Sequence, residues 1–121
     1  MKKEVQLNTS YLDQMSGHDP ATRLELLLLL AEELRTRPPS MRQCWEKQDL
    51  PALRRLSHHY KSTLPFTGCG PLIDANRKLE ERLKESPQSL EIPLLLLQIE
   101  KASAAILLQV EALIRQASST R

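Results

Sequence analysis

The sequence predicts an all-α protein, an antiparallel four-helix bundle with a short extra helix at its N-terminal end. Three observations carry this expectation. Leucine dominates the apolar 40% of the 121 residues while aromatics supply 3%, so the core must be built from interlocking aliphatic side chains. β-branched residues are sparse, and no stretch alternates apolar and polar residues as a half-buried strand would. Capping residues, prolines and glycines recur at helix-length intervals.

The elements follow in order. Residues 1–8 read as a flexible leader, 9–118 as the bundle and 119–121 as a frayed tail. Thr9 or Ser10 can cap a short helix over 10–16 that Gly17 stops. Asp19-Pro20 is a strong helix start, with the carboxylate as cap and proline at the first helical position. That helix should run to about Arg37, where Pro38-Pro39 should kink or interrupt it before helix resumes over 40–47. Asp49 and Pro51 open the next helix, 49–64, and Pro65 and Gly68 mark its end. Pro71 opens 71–85, and Ser86-Pro87 separates it from a long last helix, 90–117. The leucine runs 26–30 and 94–97 cover every side of a helix. Either the short first helix and the last helix cover the surplus faces, or a patch is left for a partner or a second copy.

The composition also excludes. Seventeen basic and fifteen acidic residues are interspersed, for a formal charge of +2, and carry no stripe for nucleic acid. The longest apolar run, Leu26 through Ala31, falls far short of the roughly 20 residues that span a bilayer. The polar start after Met1 lacks the apolar run of a signal peptide. Cys44 and Cys69 have no metal-ligand spacing and read as reduced thiols, so a cytoplasmic protein without metal or cofactor is expected.

The informative segment is Leu53-Arg54-Arg55-Leu56-Ser57-His58-His59-Tyr60-Lys61-Ser62. At about 100° per residue, Leu53, Leu56, Tyr60 and Leu64 form one buried stripe. His58 then points nearly opposite, into solvent near mid-helix, and His59 lies on the flank. Arg54, Arg55, Lys61 and Ser62 are its neighbours one turn away on the helix surface. The site is an imidazole among cations beside one small hydroxyl, and no carboxylate shares this face of the helix. A free ring nitrogen can attack phosphorus, and the cations would favour an attached phosphoryl group. From these residues alone, a solvated histidine on a basic helix face is the more ordinary reading. Chelation is not: adjacent histidines point about 100° apart, and no His-Glu-x-x-His pattern exists.

The wider pattern resembles the signature of the histidine-containing phosphotransfer (HPt) domain family of bacterial multistep phosphorelays. That signature has a small residue before the histidine, a lysine three after it and a glycine or serine next. A glycine follows ten after the histidine, and a Leu-Glu pair lies on the following helix. Here these are Ser57, His58, Lys61, Ser62, Gly68 and Leu79-Glu80. Tyr11-Leu12 through Asp19 resembles the family's N-terminal helix and turn, so the likeness covers roughly residues 10–85.

The resemblance implies a phosphocarrier rather than an enzyme, with His58 as phosphoacceptor and Lys61 as the cation beside the phosphoryl group. It implies that Ser62 lets a partner approach and that at Gly68 the next turn passes close to the active helix. Arg54, Arg55, His59, Ser62 and Gly68 would form the partner surface. The partner would be the receiver domain of a response regulator, which brings its own Mg²⁺; a hybrid sensor histidine kinase is a second. Pro65 departs from the pattern and should end or kink the active helix just beyond Ser62. The alternative is a non-catalytic helical adaptor that binds signalling partners without moving phosphate.

Overall fold

The computed structural model describes residues 5–119. Among them are five α-helices, α1 (Ser10–Met15), α2 (Pro20–Glu46), α3 (Leu50–Thr63), α4 (Gly70–Glu85) and α5 (Glu91–Ser119), a 3₁₀ turn over Leu64–Thr67, and no strand. α2 packs on α3, α3 on α4, α4 on α5 and α5 back on α2, which closes an antiparallel four-helix bundle with α1 against the 3₁₀ turn and α2. No helix among the described residues is long and apolar enough to cross a membrane.

The helix starts are set by the expected caps. The Asp19 carboxylate accepts from the Thr22 backbone amide at 2.9 Å and that of Asp49 from the Ala52 amide at 3.2 Å. Each satisfies an amide that would otherwise lack an intrahelical partner. As expected from Pro65, α3 ends at Thr63 and continues as the 3₁₀ turn.

Two expectations need correction, and one open alternative is decided. Pro38-Pro39 does not interrupt α2, which is one helix from Pro20 to Glu46 with both prolines inside it and Pro38 buried. Packing of Leu34 and Met41 on either side holds the helix through the point where two amide donors are missing. Residues 5–8 are not a frayed leader. The Leu7 amide donates to Gln109 Oε1 at 2.8 Å, Gln109 Nε2 to the Val5 carbonyl at 3.3 Å and the Asn8 amide to the Thr67 carbonyl at 2.9 Å. Val5 and Leu7 pack against the core; Met1 to Glu4, and Thr120 and Arg121 at the other end, lie outside the described residues. The leucine runs are only partly covered. Leu27, Leu30, Leu95 and Leu96 are buried, but Leu28, Leu29, Leu94 and Leu97 stay exposed.

The stripe of α3 differs from expectation at one position, where Ser57 rather than Leu56 is fully buried. Leu53, Ser57, Tyr60 and Leu64 are buried and Leu56 is half-buried. Leu72 and Leu79 are fully buried, as expected, and His58 is exposed. Tyr60 spans the bundle and its hydroxyl shares a hydrogen bond with Ser103 of α5 at 2.8 Å. Burial pushes the phenol up to about 12, against the lowering effect of that hydrogen bond. Because the folded value lies above that of an exposed tyrosine, about 10, the contribution to stability is complete below about pH 10 and is lost as the pH rises toward about 12. The melting temperature of the wild type should therefore fall more steeply across that window than that of Tyr60→Phe; parallel curves would contradict the assignment.

Candidate functional site

His58 stands on the third turn of α3, on the side turned toward α4. Its side chain is 61% exposed and its Nδ1 lies 2.6 Å from Glu80 Oε2, across the groove between the two helices. A carboxylate can only accept a hydrogen bond, so Nδ1 carries the proton and donates. In the neutral ring the lone pair is then on Nε2, which has no hydrogen-bond partner among the described residues. A solvent-facing contact of this kind stabilises the fold by about 0–1 kcal/mol. Its consequence is the choice of nitrogen rather than stability.

The groove forms a shallow hollow of about 390 Å³ lined by His58, Arg54 and Lys61 of α3 and by Arg77, Glu80, Glu81, Lys84 and Glu85 of α4. Arg77 is taken up by Asp74 and Glu81. Arg54, Lys61 and Lys84 make no ion pair among the described residues, and neither does Glu85, so the hollow beside His58 holds three uncommitted cations and one uncommitted carboxylate. Arg55 and His59 are exposed, and the His59 ring lies 6.3 Å from that of His58 at 57° to it. No carboxylate contacts His59 among the described residues, so nothing there fixes its tautomer.

Ser62 is exposed, donates to the His59 carbonyl at 2.8 Å, and belongs to a second hollow of about 140 Å³. Leu26, Leu29 and Leu30 of α2 and Phe66 of the 3₁₀ turn line it. Tyr11 of α1 stacks obliquely on Phe66 with centroids 5.0 Å apart, and Leu29 is 64% exposed. The face around His58 thus carries the cations Arg54 and Lys61 on α3 itself, is of mixed charge toward α4 and is apolar toward α2.

Gly68 is placed differently from expectation. It ends the 3₁₀ turn in the left-handed region, φ +56°, and lies against Asn8 rather than against α3. A Cβ there would meet the Asn8 carbonyl and come within 2.7 Å of the Asn8 Cβ. The glycine lets the N-terminal segment dock and does not join the His58 surface.

His58, Lys61 and Ser62 are exposed on α3 where the sequence placed them, but sequence reasoning gave Glu80 no role, since the segment around His58 is purely basic. It also missed Ser57 and Asn76. Both are buried, and the Ser57 hydroxyl donates to Asn76 Oδ1 at 2.9 Å while Asn76 Nδ2 donates to the Ser57 carbonyl at 2.9 Å. The signal for Glu80 was its place one turn after Asn76, on the α4 face that must meet α3. Among the described residues no group of three or more His, Cys, Asp or Glu side chains could hold a metal ion, and both cysteines are free.

No family model matches the chain, and no curated protein matches it. Among solved structures it is similar to the crystal structure of histidine-containing phosphotransfer protein B (HptB) from Pseudomonas aeruginosa PAO1. The superposition has a TM-score of 0.80, covers 92% of this chain and 96% of that one, and carries 20% sequence identity. The two proteins share a fold.

Proposed function

We propose that this protein belongs to the HPt family and is a phosphorelay intermediate, accepting a phosphoryl group on His58 Nε2 from the aspartyl phosphate of a receiver domain and returning it. The observation that carries the reading is the combination at one ring: Nδ1 held by Glu80, Nε2 open, and three uncommitted cations lining the same hollow. The fold shared with HptB, whose name describes histidine phosphotransfer, supports it.

The chemistry needs little from this chain. The Nε2 lone pair attacks phosphorus, the bond from phosphorus to the aspartate oxygen breaks, and the carboxylate leaves with the electron pair. The ring becomes cationic with its proton on Nδ1, where Glu80 balances the charge. Arg54, Lys61 and Lys84 offset the negative oxygens of the transferred group. By resemblance the receiver supplies Mg²⁺ for its own aspartate, and the protein acts as a cytoplasmic phosphocarrier without an ATP site. A hybrid sensor histidine kinase could supply such a receiver.

The receiver is expected to dock across both halves of the face, with Arg54, Arg55, His59 and Lys61 meeting its acidic site and Ser62 beside the apolar hollow. Ser62→Trp should lower affinity at least tenfold by filling the approach, and raising salt from about 0.05 to about 0.5 M should weaken binding several-fold through screening of the α3 cations. Titration by calorimetry reads both; affinity unchanged in both would remove this surface. The function itself is tested by incubating the protein with phosphorylated receiver domains and Mg²⁺ and detecting acid-labile phosphohistidine. Binding without transfer would leave the adaptor reading in its place.

A further inference from the structure

We propose that Asn76 is a positioning residue for His58: its buried side chain clamps the Ser57–His58 peptide to α4, and so holds Glu80 against Nδ1 and leaves Nε2 as the reacting nitrogen. The idea rests on the phosphocarrier reading for its consequence, though not for its geometry.

Asn76 is 1% exposed and Ser57 is fully buried. The Ser57 carbonyl can only accept, so the Asn76 NH₂ must face it, and Oδ1 is left facing the Ser57 hydroxyl. Each group answers the other, and both bonds are 2.9 Å. The carbonyl in question belongs to the peptide that joins Ser57 to His58. Asn76 therefore grips the backbone at the root of His58, while Glu80 sits one helical turn further along the same face of α4.

The His58–Glu80 contact could not set this geometry by itself. The ring is 61% exposed and the pair faces water, where such contacts hold long side chains weakly. Breaking a buried amide pair, by contrast, strands a donor and an acceptor away from solvent. An apolar contact between α3 and α4 would allow sliding and rotation, whereas a two-point polar clamp admits one register. That register brings a carboxylate within 2.6 Å of one ring nitrogen and not the other.

The test compares His58 in five proteins by ¹⁵N NMR at about pH 9, where an ordinary histidine is neutral. No phosphate is present. In the wild type the Nδ1–H tautomer should dominate. In Asn76→Leu the clamp is gone, and the ring should shift to the mixed tautomers of a free histidine. Asn76→Ala, which only empties a small space in a helix, asks the same question should the leucine variant not fold. Ser57→Ala keeps the bond to the peptide carbonyl and should keep the wild-type tautomer. Ser103→Ala is the control: it removes a buried hydrogen bond of α3 on its other side, to Tyr60, and should leave the tautomer unchanged.

A second reading uses phosphoramidate, which phosphorylates histidine without a partner: the ring nitrogen bonds phosphorus and ammonia leaves. The wild type should give Nε2-phosphohistidine. The Asn76 variants should react about tenfold more slowly at Nε2 and yield Nδ1-phosphohistidine as well. A wild-type tautomer in folded Asn76 variants would overturn the proposal, as would an equal change in Ser103→Ala, which would reduce the clamp to general stability. Failure of the phosphocarrier reading shows separately, as a wild type with the expected tautomer that takes no phosphate from any phosphorylated receiver.

Discussion

His58→Gln is expected to take up no phosphoryl group from a phosphorylated receiver while melting within a few degrees of the wild type. Glutamine keeps much of the size and polarity, but its amide has no nucleophilic nitrogen lone pair. The side chain it replaces is 61% exposed and makes one hydrogen bond, to Glu80, so the change in stability should stay within about 1 kcal/mol. Receiver binding should survive because the surrounding cations and the apolar hollow are untouched. His59→Gln should retain most transfer, since no carboxylate fixes that ring and it is turned away from the α3–α4 hollow. Lys61→Ala should slow transfer by about tenfold without abolishing it, because lysine supplies charge and not the reacting atom. The assay is acid-labile phosphate after incubation with one phosphorylated receiver. Loss in the His59 variant with retention in the His58 variant would move the acceptor by one residue; retention in both would end the phosphocarrier reading.

The largest expected loss of stability from a small substitution is at Gly68. Gly68→Ala places a methyl group 2.7 Å from the Asn8 Cβ and closer still to the Asn8 carbonyl, at a residue already in the left-handed region. The Asn8 backbone cannot retreat without giving up its hydrogen bond to the Thr67 carbonyl. The left-handed conformation alone costs an alanine about 1 kcal/mol, and the displaced contact should bring the total to about 2–4 kcal/mol. Gly17→Ala separates the two terms. Gly17 has φ +63° but nothing within 4 Å of a Cβ, so only the backbone cost of about 1 kcal/mol should appear. Urea denaturation of both variants measures the difference, and equal losses would mean that the approach of Asn8 to Gly68 is not a firm contact.

What the sequence revealed and what it hid divide along the range of the interactions. The bundle was legible because its signals are local: Asp19 ahead of Pro20, Asp49 ahead of Pro51, and Pro71 after Gly70 each act within one turn. His58 was legible because a helix turns by a fixed angle, which sent it away from Leu53 and Tyr60. Ser57 was hidden because an apolar stripe is read from apolar residues, and a buried serine counts only once its partner is known. That partner is nineteen residues away on another helix. Glu80 was legible as part of a motif but not as a contact, since its distance from His58 depends on how α3 and α4 are set against each other. Pro38-Pro39 misled for the opposite reason: the local rule predicts a break, and tertiary packing of the flanking leucine and methionine overrides it. Residues 5–8 misled likewise, because Gln109 and Thr67 lie far along the chain.

The docking of residues 5–8 onto Gln109 and Thr67 also has a bearing on the order in which the molecule assembles. Three of the four helix pairs of the bundle join neighbours in sequence, and their contacts can form early with small loop closures. The hydrogen bonds of Val5 and Leu7 to Gln109 span 104 and 102 residues, so they close long loops and are expected to form late. The segment is then last to arrive and first to leave. Its release would be a local opening at a free energy well below that of global unfolding, exposing the Gly68 turn and one edge of α5 while α3, α4 and the imidazole between them stay as they are.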